Sequence, residues 1–430
     1  MKISELRRNA AHCLVAVLAL AMTGMVSAAP SLAQPPPPGP PTPPPFSTPN
    51  TDDCPQKTQP PPPIDNSEVP APGDSAPAPL PVPDPPIGGD RLGECGVVLP
   101  EGAPPLPKDI SATAWQLTDM DSGAVLAAKD PHGRYRSAST IKVLLAIIAL
   151  RELDLDKVVT GTKEDQSVEG TRVGIGPGGR YSNRLLIQVL VMASGNDAAH
   201  ALAAQLGGDE ATVDKMNELA KSLHALDTRA ATPSGLDAPG TSISAYDLSV
   251  AFREALTIPL FGEFINTEEV EFPGYPADPT IPGDRDHPSF PVVNDNQLLY
   301  TYPGAIGGKT GFTNDARQTF VFATERDGRK LAITLLKADV LPIRPPLQAA
   351  YLLDYGFALP RDAHVGNLPD ENTEPNVPTP AVASPPGADQ DNADSDDGAS
   401  ATTRNTLAAL GVLIVIGLLL AARKASQRRR

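Results

Sequence analysis

Aromatic residues make up only 4% of the chain, with a single tryptophan, and its 430 residues include just three cysteines and six histidines. So few large side chains cannot fill the two or three domains this length would allow, so the folded part is smaller than the whole. His132, His200, His224, His287 and His364 stand far apart, without H-E-x-x-H or any similar spacing, which excludes a zinc peptidase of that pattern. No other metal or cofactor signature is present, and none is expected. An excess of positive charge is also missing. With 35 Lys and Arg against 51 Asp and Glu, the net charge of -16 argues against a nucleic-acid partner.

Proline is abundant, and more than half of the 50 prolines fall in residues 34–107. That stretch, and the acidic Pro/Ala/Asp-rich stretch 367–405, hold too little apolar surface to offset chain entropy, so both are expected to be disordered tethers. In the second, Asp389, Asp391, Asp394, Asp396 and Asp397 repel one another and keep the chain extended. One domain, 108–366, is expected between them.

The ends carry their own signals. Lys2, Arg7 and Arg8, an apolar run over 13–25 and small residues up to Ala28 and Ala33 predict a signal peptide over 1–33, cut after either alanine. Residues 406–422 carry no charge, and Arg423, Lys424, Arg428, Arg429 and Arg430 follow, which predicts a transmembrane helix with a basic cytoplasmic tail over 423–430. The domain is then expected outside a cell membrane, tethered by one span. With Cys13 removed, Cys54 and Cys95 remain as an even pair in an oxidising compartment, either bridged across a loop of about 40 residues or present as two thiols.

Within the domain, 115–120 and 124–128 flank Asp121-Ser122-Gly123, and 319–323 and 331–336 flank Arg326-Asp327-Gly328-Arg329, two hairpin signals. From Ser139, STIKVLLAIIALREL is apolar on nearly every side and predicts a buried helix capped by its serine. Leu185 to Met192 and Ala198 to Leu206 predict two helices broken at Ser194-Gly195-Asn196. Strands at both ends with helices between predict an α+β fold, one antiparallel sheet covered by helices.

Ser139-Thr140-Ile141-Lys142 sets an amine three residues from a hydroxyl on one helix face, where a desolvated lysine can take the serine proton. Alone, this motif is common. Ser194-Gly195-Asn196 and Lys309-Thr310-Gly311 follow in an order and spacing far from chance, supplying a second hydroxyl, a side-chain amide, and a cation with a hydroxyl for a substrate carboxylate. Gly311 is expected to let a peptide lie against the strand.

The trio resembles the active site of the penicillin-binding D-alanyl-D-alanine carboxypeptidases, relatives of the serine β-lactamases, and among them the mycobacterial type. Thr232 to Asp237, Ser244 to Asp247, Asn294 to Leu299 and Gly307 to Thr313 add to the likeness. The resemblance implies a penicillin-binding/β-lactamase-like fold and makes Ser139 the acylated nucleophile and Lys142 its base. Ser194 and Lys309 would complete a proton network and Asn196 would hold the substrate amide. Lys309 with Thr310 would bind the terminal carboxylate, and the Ser139 and Phe312 amides would form an oxyanion hole. It implies peptidoglycan stem peptides ending in D-Ala-D-Ala as substrate and β-lactams as covalent inhibitors. Arg317 departs from the family, where a small residue is usual. A β-lactamase, or a non-catalytic wall-binding protein on the same fold, is the alternative.

Overall fold

The computed structural model describes residues 46–369. The expected signal peptide, nearly all of the acidic tether, the apolar run 406–422 and the basic tail lie outside the described residues. Among the described residues no helix is long and apolar enough to cross a membrane.

The strands are β1 (Val97–Val98), β2 (Ala114–Asp119), β3 (Ala124–Lys129), β4 (Val158–Thr160), β5 (Arg180–Ser182), β6 (Glu269–Phe272), β7 (Phe290–Val293), β8 (Ala305–Thr313), β9 (Arg317–Arg326), β10 (Arg329–Ala338) and β11 (Gly366–Asn367). The helices are α1 (Lys142–Glu152), α2 (Lys163–Ser167), α3 (Asn183–Met192), α4 (Asn196–Gln205), α5 (Asp209–Ser222), α6 (Ala245–Leu256), α7 (Pro259–Asn266), α8 (Gln297–Thr301) and α9 (Pro345–Ala358). The main sheet runs β1-β3-β2-β10-β9-β8, with β11 beside β3, and its pairings are antiparallel. Both predicted hairpins are present. The second turns on Asp327 and Gly328, both at positive φ, the geometry a two-residue hairpin needs.

Alternate residues of each strand face opposite sides. Val321 and Ala323 of β9 and Ala332 and Leu336 of β10 join one core with α1, α3, α4, α6 and α7, while Phe320, Phe322, Leu331, Ile333 and Leu335 join a second core with α9. The result is helix, sheet, helix in three layers. α1 runs through the larger core with Val143 to Ala149 all buried, which explains a sequence apolar on every side.

The Pro-rich segment departs from expectation. Residues 46–107 are not a disordered tether: they lie against the domain, and β1 belongs to the main sheet. Little apolar burial is needed, because buried cations of the domain bind acceptors of the segment. Proline has no N–H, so carbonyls in such a stretch lack internal partners and stay available. Arg134 donates to the Thr58, Leu80 and Pro81 carbonyls, Arg136 pairs with Glu68, and Lys129 donates to the Pro49 carbonyl. Asp315 in turn accepts from the Ile64 amide at 2.6 Å and from Ser67. Cys54 and Cys95 are bridged, closing the arm on itself. The folded unit therefore starts well before residue 108.

Candidate active site

Ser139 lies in a 3-10 turn, Ala138–Ile141, that runs straight into α1. Residues three apart eclipse one another in such a turn, and Lys142 Nζ stands 2.8 Å from Ser139 Oγ. The expected helix cap is not formed: neither element has a side-chain cap, and the hydroxyl accepts from Lys142 while reaching the Ser234 carbonyl at 3.5 Å. Lys142 also donates to Asn196 Oδ1 at 2.7 Å and to the Ser234 carbonyl at 2.6 Å. That carbonyl arrives because Gly235, at φ +82°, presses on the turn; a Cβ there would stand 2.0 Å from the Ala138 oxygen.

Lys142 is fully buried. Desolvation first, and the Lys309 ammonium second, hold it well below the usual lysine range, against the pull of Asp295 and Asp197. Three acceptors around Nζ suit an ammonium, while the depressed pKa makes its proton easy to lose. Once neutral, Nζ offers its lone pair to the Ser139 hydroxyl along the same 2.8 Å line.

The break between α3 and α4 brings in Ser194 and Asn196. Ser194, at φ +62°, is a non-glycine residue in the left-handed region, a strained reversal of the kind found at functional sites. Its hydroxyl makes no hydrogen bond to Ser139 or Lys142, whose donors are filled by Ser139, Asn196 and Ser234. Asn196 differs from expectation too. Its Oδ1 holds Lys142 and its Nδ2 donates to the Glu169 carbonyl, so in this state the side chain orients the lysine. The loop carrying Glu169 and Thr171 is folded over by Asp197, a buried carboxylate accepting the amides of Val173, Gly174 and Ile175.

β8 forms the other wall. Lys309 is buried and desolvation lowers its pKa, offset in part by Asp295; its Nζ donates to the Thr310 carbonyl rather than to Ser139 or Lys142. A Cβ on Gly311 would lie 2.9 Å from the Ser139 nitrogen and 2.3 Å from Thr319 Oγ1. Gly311 is thus required by the approach of the serine turn, a reason different from the expected one. This approach sets the Ser139 amide one residue from Phe312, whose side chain is exposed. Thr310 Oγ1 donates to Asp295 Oδ2 at 2.7 Å. Ser234 and Asp295 lie in two stretches of the family likeness, 232–237 and 294–299, without a role read for either, and Asp197, next to Asn196, gave no separate signal. Arg317 turns away to pair with Asp339 at 2.9 Å.

Elsewhere, ligand atoms of His132, Asp227 and Asp247 come within 4.8 Å of one another. They form an ion-pair network instead of an open metal site: His132 and Arg134 both bond Asp227.

Comparisons with known proteins bear on this site. A family model described as D-alanyl-D-alanine carboxypeptidase matches residues 101–340. The D-alanyl-D-alanine carboxypeptidase DacB2 of Mycobacterium tuberculosis is 46% identical over 275 residues, 63% of this chain and 90% of that protein. A solved D-alanyl-D-alanine carboxypeptidase structure from Mycobacterium tuberculosis is 45% identical with a TM-score of 0.58, over 63% of this chain and 100% of that one. A Streptomyces DD-transpeptidase structure is 27% identical with a TM-score of 0.54, over 60% and 100%. With a family match across more than half of its length and a serine and lysine in hydrogen-bond contact, the chain belongs to the D-alanyl-D-alanine carboxypeptidase family.

Proposed function

We propose that the protein is a serine-type D-Ala-D-Ala carboxypeptidase that removes the terminal D-alanine of peptidoglycan stem pentapeptides. The observation that carries this reading is the 2.8 Å contact between Ser139 Oγ and a buried Lys142 of depressed pKa, beside the Lys309-Thr310-Gly311 strand. Neutral Lys142 takes the Ser139 proton as Oγ attacks the carbonyl of the penultimate D-alanine. The Ser139 and Phe312 amides stabilise the resulting oxyanion. Collapse breaks the peptide bond, and the proton held by Lys142 goes to the departing D-alanine nitrogen. Water then cleaves the ester and frees Ser139. In this reading Lys309 and Thr310 receive the leaving residue, and Ser194, on the break between α3 and α4, relays a proton once substrate displaces Asn196. A β-lactam enters the same path, its ring carbonyl forming an ester on Ser139.

Placement outside a cell membrane, with a cleaved leader at 1–33 and a spanning anchor at 406–422, is part of the same proposal. It is supported by the charge-free run and the basic residues after it. A reporter active only in the cytoplasm, fused after Arg430, should work; activity of a periplasm-only reporter there would overturn it.

The test of function incubates the protein with a pentapeptide ending in D-Ala-D-Ala and follows free D-alanine, while intact mass after penicillin treatment counts adducts. Release of D-alanine and one adduct, both lost in Ser139→Ala, are expected. Rapid penicillin turnover without D-alanine would make it a β-lactamase.

A further inference from the structure

We propose that Glu68 of the Pro-rich arm is a positioning residue for the oxyanion hole, holding the turn that carries Ser139 against the end of β8 through its ion pair with Arg136. The proposal rests on the assignment above of the Ser139 and Phe312 amides to the oxyanion.

These two amides belong to distant parts of the chain, and the arm grips each part close by. On the nucleophile side, Arg136 stands three residues before Ser139 and is 2% exposed. It donates to Glu68 through Nε and, at 2.8 Å, through Nη2. On the β8 side, Asp315 stands three residues after Phe312 and accepts the Ile64 amide at 2.6 Å. Ile64 and Glu68 are four residues apart, so one short piece of arm spans both grips. The polarity of each is fixed, because a guanidinium and a backbone amide only donate and an ionised carboxylate only accepts.

The serine turn needs such support. Ala138, next to Ser139, has φ +45°, a left-handed conformation that a residue with a Cβ keeps only where its surroundings impose it. Thr319 donates to the Ser137 carbonyl at 2.8 Å and Gly235 presses on the Ala138 oxygen, but neither meets the buried charge of Arg136. Among the described residues Glu68 is the hydrogen-bonding partner of that charge, while Asp237 and Asp315 act on it across space. Those two carboxylates already hold the end of β8 and the arm: Asp237 accepts from Thr313, beside Phe312, at 2.9 Å, and Asp315 holds Ile64. A buried cation that loses its partner must find another, so without Glu68 the guanidinium is drawn toward Asp237 and Asp315. The Phe312 and Ser139 amides then shift relative to each other. Glu68 precedes residue 101, where the family match begins, so this support comes from outside the stretch that matches the family.

The experiment compares the full chain with Glu68→Gln and Glu68→Ala. Saturating penicillin counts the sites that can be acylated, and every rate is divided by that count, so partial unfolding does not mimic the effect. Donors aimed at an oxyanion act in the transition state, so kcat for D-alanine release and the rate constant of penicillin acylation should fall while KM changes little. Outright loss of such a donor costs about 100-fold or more, and its displacement should cost about tenfold. The affinity of a peptide boronic acid, whose tetrahedral adduct on Ser139 sets an oxygen against the same amides, should drop by a similar factor. Normalised rates and boronic acid affinity within about twofold of the parent in both variants, with only the urea midpoint lowered, would overturn the proposal. A raised KM with unchanged kcat would overturn it too, since the loss would then lie in substrate binding. If one variant does not fold, the other carries the comparison. If the parent is acylated by penicillin but releases no D-alanine, the carboxypeptidase reading fails, while acylation rates and boronic acid affinities still decide the role of Glu68.

Discussion

Replacing Arg134 with methionine tests whether the Pro-rich arm is an integral part of the fold. The guanidinium is 1% exposed and bonds the Thr58 carbonyl at 2.9 Å, the Pro81 carbonyl at 2.7 Å, the Leu80 carbonyl, and Asp227 at 3.2 Å. Methionine conserves most of the volume but none of the donors. Asp227 keeps His132 at 2.7 Å, so the residual charge is not abandoned, while three arm carbonyls lose their partner. Breaking a buried pair costs about 3–5 kcal/mol, and bonds to a charged group are worth about 1.5–3 kcal/mol each. A loss of about 3 kcal/mol is therefore expected. The arm can offset part of it by lifting into water, where its carbonyls are solvated; at 1.4 kcal/mol per factor of ten, 3 kcal/mol raises the lifted population by about 150-fold. The disulfide should keep the arm attached. Hydrogen exchange across residues 56–82 reads the lifting and urea unfolding reads the total. Lys215→Met, which breaks the exposed pair with Glu152, is the control and should cost under about 1 kcal/mol. An Arg134→Met cost under about 1 kcal/mol, with unchanged exchange in the arm, would refute the claim that buried cations hold it.

The acidic limb of the rate against pH should follow loss of the Lys142 proton, and Lys309→Met, by removing the neighbouring charge, should move that limb to higher pH; an unmoved limb in the residual activity would contradict the coupling. Reducing the Cys54–Cys95 bridge, whose ends are 41 residues apart, should lower stability by about 4 kcal/mol in the chain-entropy view, read as a lower urea midpoint, with D-alanine release retained under native conditions. His132 faces Asp227 and the Ile87 carbonyl, two groups that only accept, so both ring nitrogens must donate. Burial lowers its pKa, but the charge and hydrogen bond of Asp227 outweigh it and the net shift is upward from 6.5. A raised folded pKa means the stabilisation is full below 6.5 and fades as pH climbs through the folded value, so the difference in urea midpoint between the parent and His132→Leu should shrink on that side. The His132 charge also holds down the carboxyls of Asp247 and Asp130, so the difference reads the network as a whole.

Much of the chemistry could be read from residue order because it depends on local geometry. A serine and lysine three apart meet in any helical turn, glycine after aspartate makes a tight hairpin, and an all-apolar segment must be buried. The three motifs and the antiparallel α+β architecture were legible on those grounds. What escaped the sequence depends on long-range partners. Composition alone marked residues 46–107 as unpacked, since it counts apolar area and cannot show that Arg134, Arg136 and Lys129 lie buried and in need of acceptors. Only the folded chain joins Ile64 to Asp315, 251 residues away. The same holds within the site. Asn196 could have served the substrate or the lysine, and it serves the lysine because the Glu169 loop and α1 converge on it. Asp295 belongs to a stretch of the family likeness, but its contact with Thr310 at 2.7 Å comes from a different element of the fold. Local periodicity determines which elements form; which polar groups find each other is decided by tertiary packing, because a buried charge is stable only where the fold supplies its partner.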